Sequence, residues 1–148
     1  MERVNIRNAK DVLQIIKRWG KKRQEHFIVV TLDGCNNVIK ANTVTMGIIN
    51  KTIVHPRECF YRAIVDNANS VIFAHNHPSG SVEPSEEDKE LTKRLCFAGK
   101  IMGFHVLDHI IITKNYSNYY SFRENGMIMD NYEDAIHYVA EMFKEGMQ

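Results

Sequence analysis

Apolar residues recur along this chain with two periods. From Ala9 to Gly20, Val12, Leu13, Ile16 and Trp19 fall on one face of a 3.6-residue repeat, which predicts an amphipathic helix closed by Gly20. After the basic run Lys21-Lys22-Arg23, the short β-branched stretch Phe27-Ile28-Val29-Val30 predicts a strand over His26–Asp33. Asp33-Gly34-Cys35-Asn36-Asn37 is turn chemistry, so Val38–Val44 reads as the returning strand of a hairpin. Pro56 suits the first turn of a helix, where its missing N–H costs nothing; Cys59, Phe60, Ala63, Ile64 and Ala68 then share its inward face. Val71-Ile72-Phe73-Ala74 is apolar without alternation, the mark of a strand covered on both sides. A loop from His75 to Pro84 leads to a helix with Leu91, Leu95, Ala98 and Met102 inward, and Val106–Thr113 predicts a further strand. Tyr119-Tyr120-Ser121-Phe122 predicts a short edge strand, and Tyr132, Ala135, Ile136, Val139, Met142 and Phe143 a C-terminal helix. Strands interleaved with helices predict an α/β layered domain around one mixed sheet.

Length and charge narrow the class. The chain has 148 residues, enough for one domain with a core that needs no disulfide or metal to fold. Nineteen Lys and Arg against eighteen Asp and Glu leave +1, so no global field draws the molecule to nucleic acid or an anionic membrane. No apolar run approaches the roughly 20 residues of a membrane span. Met1-Glu2-Arg3-Val4-Asn5 lacks the apolar core of a signal peptide. Cys35, Cys59 and Cys96 are odd in number and form no Cys-x-x-Cys pair, which points to reduced thiols and a cytoplasmic location.

The chemistry concentrates between Ala74 and Asp88. His75 and His77 follow a buried strand, and residues i and i+2 of an extended chain project to one side. Two imidazoles can therefore converge on one point. Pro78 and Gly80 turn the chain, and Ser85 reads as the N-cap of the next helix, with Asp88 at its third position pointing back toward the histidines. Two His and one Asp leave a fourth tetrahedral position open, the layout of a catalytic rather than a structural zinc site. Zinc there would lower the pKa of a water to about 7. Ser85-Glu86-Glu87-Asp88 also reads simply as an acidic, capped helix start. A hydrolytic site needs a general base as well. Glu25 is one candidate, at the start of the first core strand, and Glu58, Glu83 and Glu86 are others that spacing does not separate.

His75-x-His77, seven residues, Ser85, two residues and Asp88 resembles the JAMM (MPN-type) metalloprotease motif. His75-Asn76-His77-Pro78-Ser79-Gly80, Thr92-Lys93-Arg94-Leu95 and Leu107-Asp108-His109-Ile110-Ile111 resemble, more narrowly, the JAB domain of bacterial RadC-like proteins. Gln24-Glu25-His26-Phe27, Val54-His55-Pro56-Arg57-Glu58 and Tyr120-Ser121-Phe122-Arg123-Glu124 fit the same family, so the resemblance runs from Gln24 to Asn125. It implies an α/β/α sandwich of JAB/MPN type with layers like those of cytidine deaminases. It divides the chain into an N-terminal helix and basic connector over 1–23 and a RadC-like JAB domain with a C-terminal helix over 24–148. It further implies that His75, His77 and Asp88 bind Zn2+, that Glu25 holds and deprotonates the metal-bound water, and that Ser85 stabilises the oxyanion. Such proteins usually carry an N-terminal helix-hairpin-helix region; only residues 1–23 precede the resemblance here, so a DNA-binding role credited to that region is not expected.

The expected function is a zinc-dependent metallohydrolase, peptidase- or isopeptidase-like, acting on a protein or peptide. The alternative is a DNA-associated accessory protein in repair or recombination, resting on Lys17, Arg18, Lys21, Lys22 and Arg23, although basic residues also suit a solvated helix end. His55, Asp108 and His109 could line the site or hold a ligand by hydrogen bonds, or support the sheet as buried polar groups. Cys96 reads as core, and Tyr116, Tyr119 and Tyr120 as an edge-strand cluster. A zinc deaminase would need Cys-x-x-Cys, which is missing.

Overall fold

A computed structural model describes residues 3–49 and 53–146; Met1 and Glu2 at the expected leaderless start, and the last two residues of the expected C-terminal domain, lie outside them. In chain order the elements are α1 (Ala9–Ile16), a 3₁₀ turn (Lys17–Lys21), β1 (His26–Leu32), β2 (Val38–Met46), α2 (Pro56–Val65), β3 (Ser70–Asn76), α3 (Glu86–Met102), β4 (His105–Ile112), β5 (Tyr119–Ser121) and α4 (Tyr132–Gly146). The strands form one five-stranded sheet in the order β2-β1-β3-β4-β5. Only the β3–β4 pair is parallel, bridged by α3 as a crossover; the other neighbours run antiparallel. The expected α/β fold around a mixed sheet is the one observed.

Strand alternation sorts the core into two layers. Ile28, Val30, Leu32, Ile72, Ala74, Ile110 and Ile112 face α1, where Val12, Leu13, Ile16 and Trp19 cover them. Phe27, Val29, Val71, Phe73 and Val106 face the other way, against Cys59, Phe60 and Ala63 of α2 and Leu91, Leu95 and Cys96 of α3. Because helices cover both faces, all seven residues of the central strand β3 are buried. No helix among the described residues is long and apolar enough to cross a membrane.

Some expectations are corrected. The first helix does not run to Gly20: it ends at Ile16 and tightens into the 3₁₀ turn, with Gly20 buried inside that turn. Glycine is needed there for close approach, since a Cβ would stand 2.5 Å from the Thr113 carbonyl oxygen. β3 continues through His75 and Asn76, so the loop starts at His77, not His75. Ile64 and Met102, expected inward, are exposed, because α2 and α3 dock through narrower faces. The C-terminal helix departs furthest. It meets α3 through Ala135 and Tyr138, the latter against Phe97, while Tyr132, Ile136, Met142 and Phe143 are exposed. Periodicity marks an apolar stripe but does not say which edge of the helix docks.

Replacing Gly20 by Ala is expected to destabilise the fold by about 1–3 kcal/mol, because backbone rather than a flexible side chain must give way. Gly34→Ala, where a Cβ meets nothing within 4 Å, is expected to change stability by less than about 0.5 kcal/mol. Urea denaturation of the two variants separates a packing requirement from a general intolerance of substitution.

Candidate metal centre

β3 delivers the first two donors. His75 is the penultimate residue of the strand and fully buried. The His77 N–H still bonds the Ile112 carbonyl of β4 at 2.8 Å, which keeps the chain extended and both imidazoles on one side. α3 delivers the third. Ser85 caps the helix, its Oγ accepting the Asp88 N–H at 3.0 Å, while Asp88 Oδ2 accepts the Ser85 N–H at 2.9 Å. That reciprocal capping box aims the Asp88 carboxylate back at the strand. The helix-start reading of Asp88 is borne out, and the cap turns its carboxylate toward the place the ligand reading needs.

The donors converge. His75 Nε2 lies 2.9 Å from His77 Nε2, and each lies 3.3 Å from a carboxylate oxygen of Asp88. These three side chains form the group that could hold a metal ion among the described residues. A tetrahedral ion with bonds of about 2.0–2.1 Å separates its donors by about 3.3 Å, so the spacing fits zinc-like coordination.

Proton positions strengthen the fit. The His77 Nδ1 stands 2.8 Å from the Ser81 carbonyl, which can only accept, so Nδ1 carries the hydrogen and a neutral His77 presents a bare Nε2. On the other imidazole the argument runs through three residues. Thr92 Oγ1 donates to the Asp88 carbonyl at 2.8 Å, so at 2.6 Å from His109 Nδ1 it accepts. His109 then presents a bare Nε2 to His75 Nδ1 at 2.7 Å, which must donate. Burial holds the His109 pKa well below the ordinary histidine value, in keeping with a neutral ring. A neutral His75 is left with a bare Nε2 as well. With both rings neutral, two lone pairs and a carboxylate face one another at hydrogen-bond distance, an arrangement that a cation, whether a metal ion or a proton, relieves.

A proton is the competitor. Burial works against a charge on His77, but bonds to Asp88 and the Ser81 carbonyl, with the charges of Asp88 and Glu25 behind them, raise its pKa above the usual value. Burial likewise pushes the Asp88 carboxyl up, yet its contacts with His75 and His77 outweigh that and hold it well below the usual carboxylate range.

The remaining sequence candidates divide. Phe27 of β1 stands opposite His75, two residues after Glu25, and the charge of Glu25 acts on His77. Glu25 is half-buried; its Oε2 accepts the Ile49 N–H at 3.0 Å, and Oε1 has no hydrogen-bond partner among the described residues. Glu58, Glu83 and Glu86 are exposed, and Glu86 pairs with Lys89 at 2.9 Å. The Ser85 hydroxyl, having accepted the Asp88 N–H, keeps its own proton free of protein acceptors among the described residues. His55 stands at the N-terminus of α2, outside the donor cluster. Asp108 supports the sheet: its carboxylate accepts the N–H groups of His109 and Arg123 and the Ser121 hydroxyl. Cys96 is buried in the core as expected.

Sequence reasoning missed Thr92 and Asn76. Thr92 could have been found, because it lies one helical turn after Asp88. Asn76 points to the opposite face from the two ligands: its Nδ2 donates to the Lys22 and Gln24 carbonyls at 3.3 and 3.0 Å, and its Oδ1 accepts the His26 N–H at 2.7 Å. It clamps the segment carrying Glu25 against the strand carrying the imidazoles. The Ser81 carbonyl leaves no trace in sequence.

Fold and site together define a mixed α/β protein in which three donors that could hold a metal ion meet at the end of the central strand. Comparison with known proteins makes this specific: residues 6–127 match the RadC-like JAB domain, and the chain belongs to that family. It is 49% identical over 115 residues to a UPF0758 protein of Methanospirillum hungatei, covering 76% of this chain and 51% of that protein. A UPF0758 protein of Rubrobacter xylanophilus is 50% identical over 105 residues, with 71% and 45% coverage, and one of Methanococcoides burtonii is 44% identical over 124, with 83% and 53%. The chain thus spans about half the length of these curated relatives.

Removing the Thr92 hydroxyl with Thr92→Val is expected to lower metal affinity about 10–100-fold, and Thr92→Ser to restore it, in a competition titration against a chromophoric chelator. The pH dependence has a definite sign. Below the raised His77 pKa a proton occupies the donor the metal needs, so affinity is expected to fall by about tenfold per pH unit for each proton displaced, and to level off above it. The same titration repeated across pH checks both slope and plateau.

Proposed function

We propose that this domain is a zinc-dependent hydrolase of amide bonds, of the peptidase or isopeptidase type, with a protein or peptide as substrate. The observation that supports it best is the convergence of the three donors, with a half-buried carboxylate just before the neighbouring strand that keeps one oxygen free among the described residues. His75, His77 and Asp88 would hold the ion. When bound, zinc supplies a Lewis acid for a carbonyl oxygen and brings the pKa of a water down to about 7.

The chain's own residues supply the rest. Glu25 Oε1 takes the proton of the attacking water as its oxygen bonds to the carbonyl carbon, and delivers that proton to the amine nitrogen as the C–N bond breaks. The Ile49 N–H holds Oε2 and fixes the orientation of the carboxylate. The Ser85 O–H donates to the carbonyl oxygen as it gains negative charge, while the Asp88 N–H holds the serine in place. One water is consumed, and one acid and one amine are released. Free thiols at Cys35, Cys59 and Cys96 favour a reducing cytoplasm as the place of action.

The test is Glu25→Gln, which keeps the shape and removes the base. Metal content by atomic emission is expected to stay unchanged, while hydrolysis of a peptide or isopeptide library falls by about 10²–10⁴-fold. Unchanged hydrolysis would remove Glu25 from the mechanism, and no hydrolysis by the zinc-loaded wild type would remove the reading itself.

A further inference from the structure

A groove of about 630 Å³ lies between the segment Lys21–Arg23 and the Pro78–Gly80 loop that follows His77. Lys114, after β4, adds a fourth cation to its lining. Among the described residues, no carboxylate and no aromatic ring lines it. Lys21, Lys22, Arg23 and Lys114 are all exposed, and none forms an ion pair among the described residues. In a chain of net charge +1, unneutralised positive charge gathers at one place.

The groove is joined to the site. Asn76, between the two histidine ligands, ties the Lys22 and Gln24 carbonyls to the strand, so the basic wall is positioned by the backbone that positions the imidazoles. Arg23 stands two residues before Glu25, and Pro78 one residue after His77. Four cations line the groove, whereas the carboxylates of Glu25 and Asp88 belong to the donor cluster and its border. A polymer with a run of negative charge is drawn into the groove and kept off the carboxylates, which fixes its direction.

We propose that this groove binds an acidic stretch of the polypeptide substrate and so presents an adjoining amide bond to the metal centre. The inference rests on the amide-hydrolase reading for its second half. A polypeptide is favoured over a single-stranded nucleic acid because such sites stack bases on aromatic side chains, and the lining holds none among the described residues.

The experiment is fluorescence anisotropy of zinc-loaded protein with a labelled ten-residue Glu-rich peptide, a Gln-rich peptide of equal length, and an oligonucleotide of equal charge. The Glu-rich peptide is expected to bind at least about tenfold more tightly than the Gln-rich one, with affinity falling as salt rises. The double reversal Lys22→Glu with Lys114→Glu, at exposed positions outside the core, is expected to remove at least about tenfold of that affinity. Chelating the metal is expected to leave peptide binding unchanged, so the groove is read independently of hydrolysis. With an acid-tailed substrate, the same double variant is expected to raise KM and keep kcat. Equal affinity for the two peptides, or tighter binding of the oligonucleotide, overturns the proposal. Acidic-peptide binding without any hydrolysis sustains the groove and overturns the hydrolase reading instead.

Discussion

Two imidazole nitrogens held 2.9 Å apart and facing one carboxylate are the constraint on which the rest of this molecule turns. With both rings neutral and their hydrogens on the outer nitrogens, such a pair repels. It persists because each ring is committed elsewhere: His77 to the Ser81 carbonyl, His75 to His109, and His109 in turn to Thr92. Those outer bonds settle where the protons are, and therefore where the lone pairs are. A metal centre here is as much a product of Thr92 and His109 as of the three donors.

Asp88 couples this constraint to the fold. Its backbone N–H and carboxylate complete the cap of α3, and its carboxylate also faces the imidazoles. The parallel crossover from β3 to β4 must therefore start its helix within reach of the residues that end the strand. A substitution at Asp88 strikes the helix start as well as the donor set, whereas Glu25 and Thr92 can be changed without touching the cap. That separation is why those two residues report on the chemistry more cleanly than the ligands do.

Asn76 gives the centre a second anchor, on the reverse side of the sheet. By holding the backbone from Lys22 to His26, it places an acidic residue and a basic run along one border of the donor set. This chain belongs to the RadC-like JAB family, and roughly half of each UPF0758 relative lies beyond the matched region. Local geometry, rather than any property of those longer proteins, is what supports the functional reading.

Much of this was legible along the chain. The unbroken apolar run Val71–Ala74 marked the central strand, the His-x-His spacing marked two side chains on one face, and Ser85 with Asp88 marked a capped helix start. These are local facts, set by strand and helix periodicity and by the needs of unpaired N–H groups. Other features were decided only on folding. Glu25 differs from Glu58, Glu83 and Glu86 only once the chain folds, being half-buried with its charge near His77 while the other three are exposed. The exposed stripe of α4, and Gly20 against the Thr113 carbonyl, likewise depend on which surfaces meet. Periodicity belongs to single segments, whereas register, docking edge and the route of a proton belong to pairs of segments far apart in the chain, so only the assembled sheet specifies them.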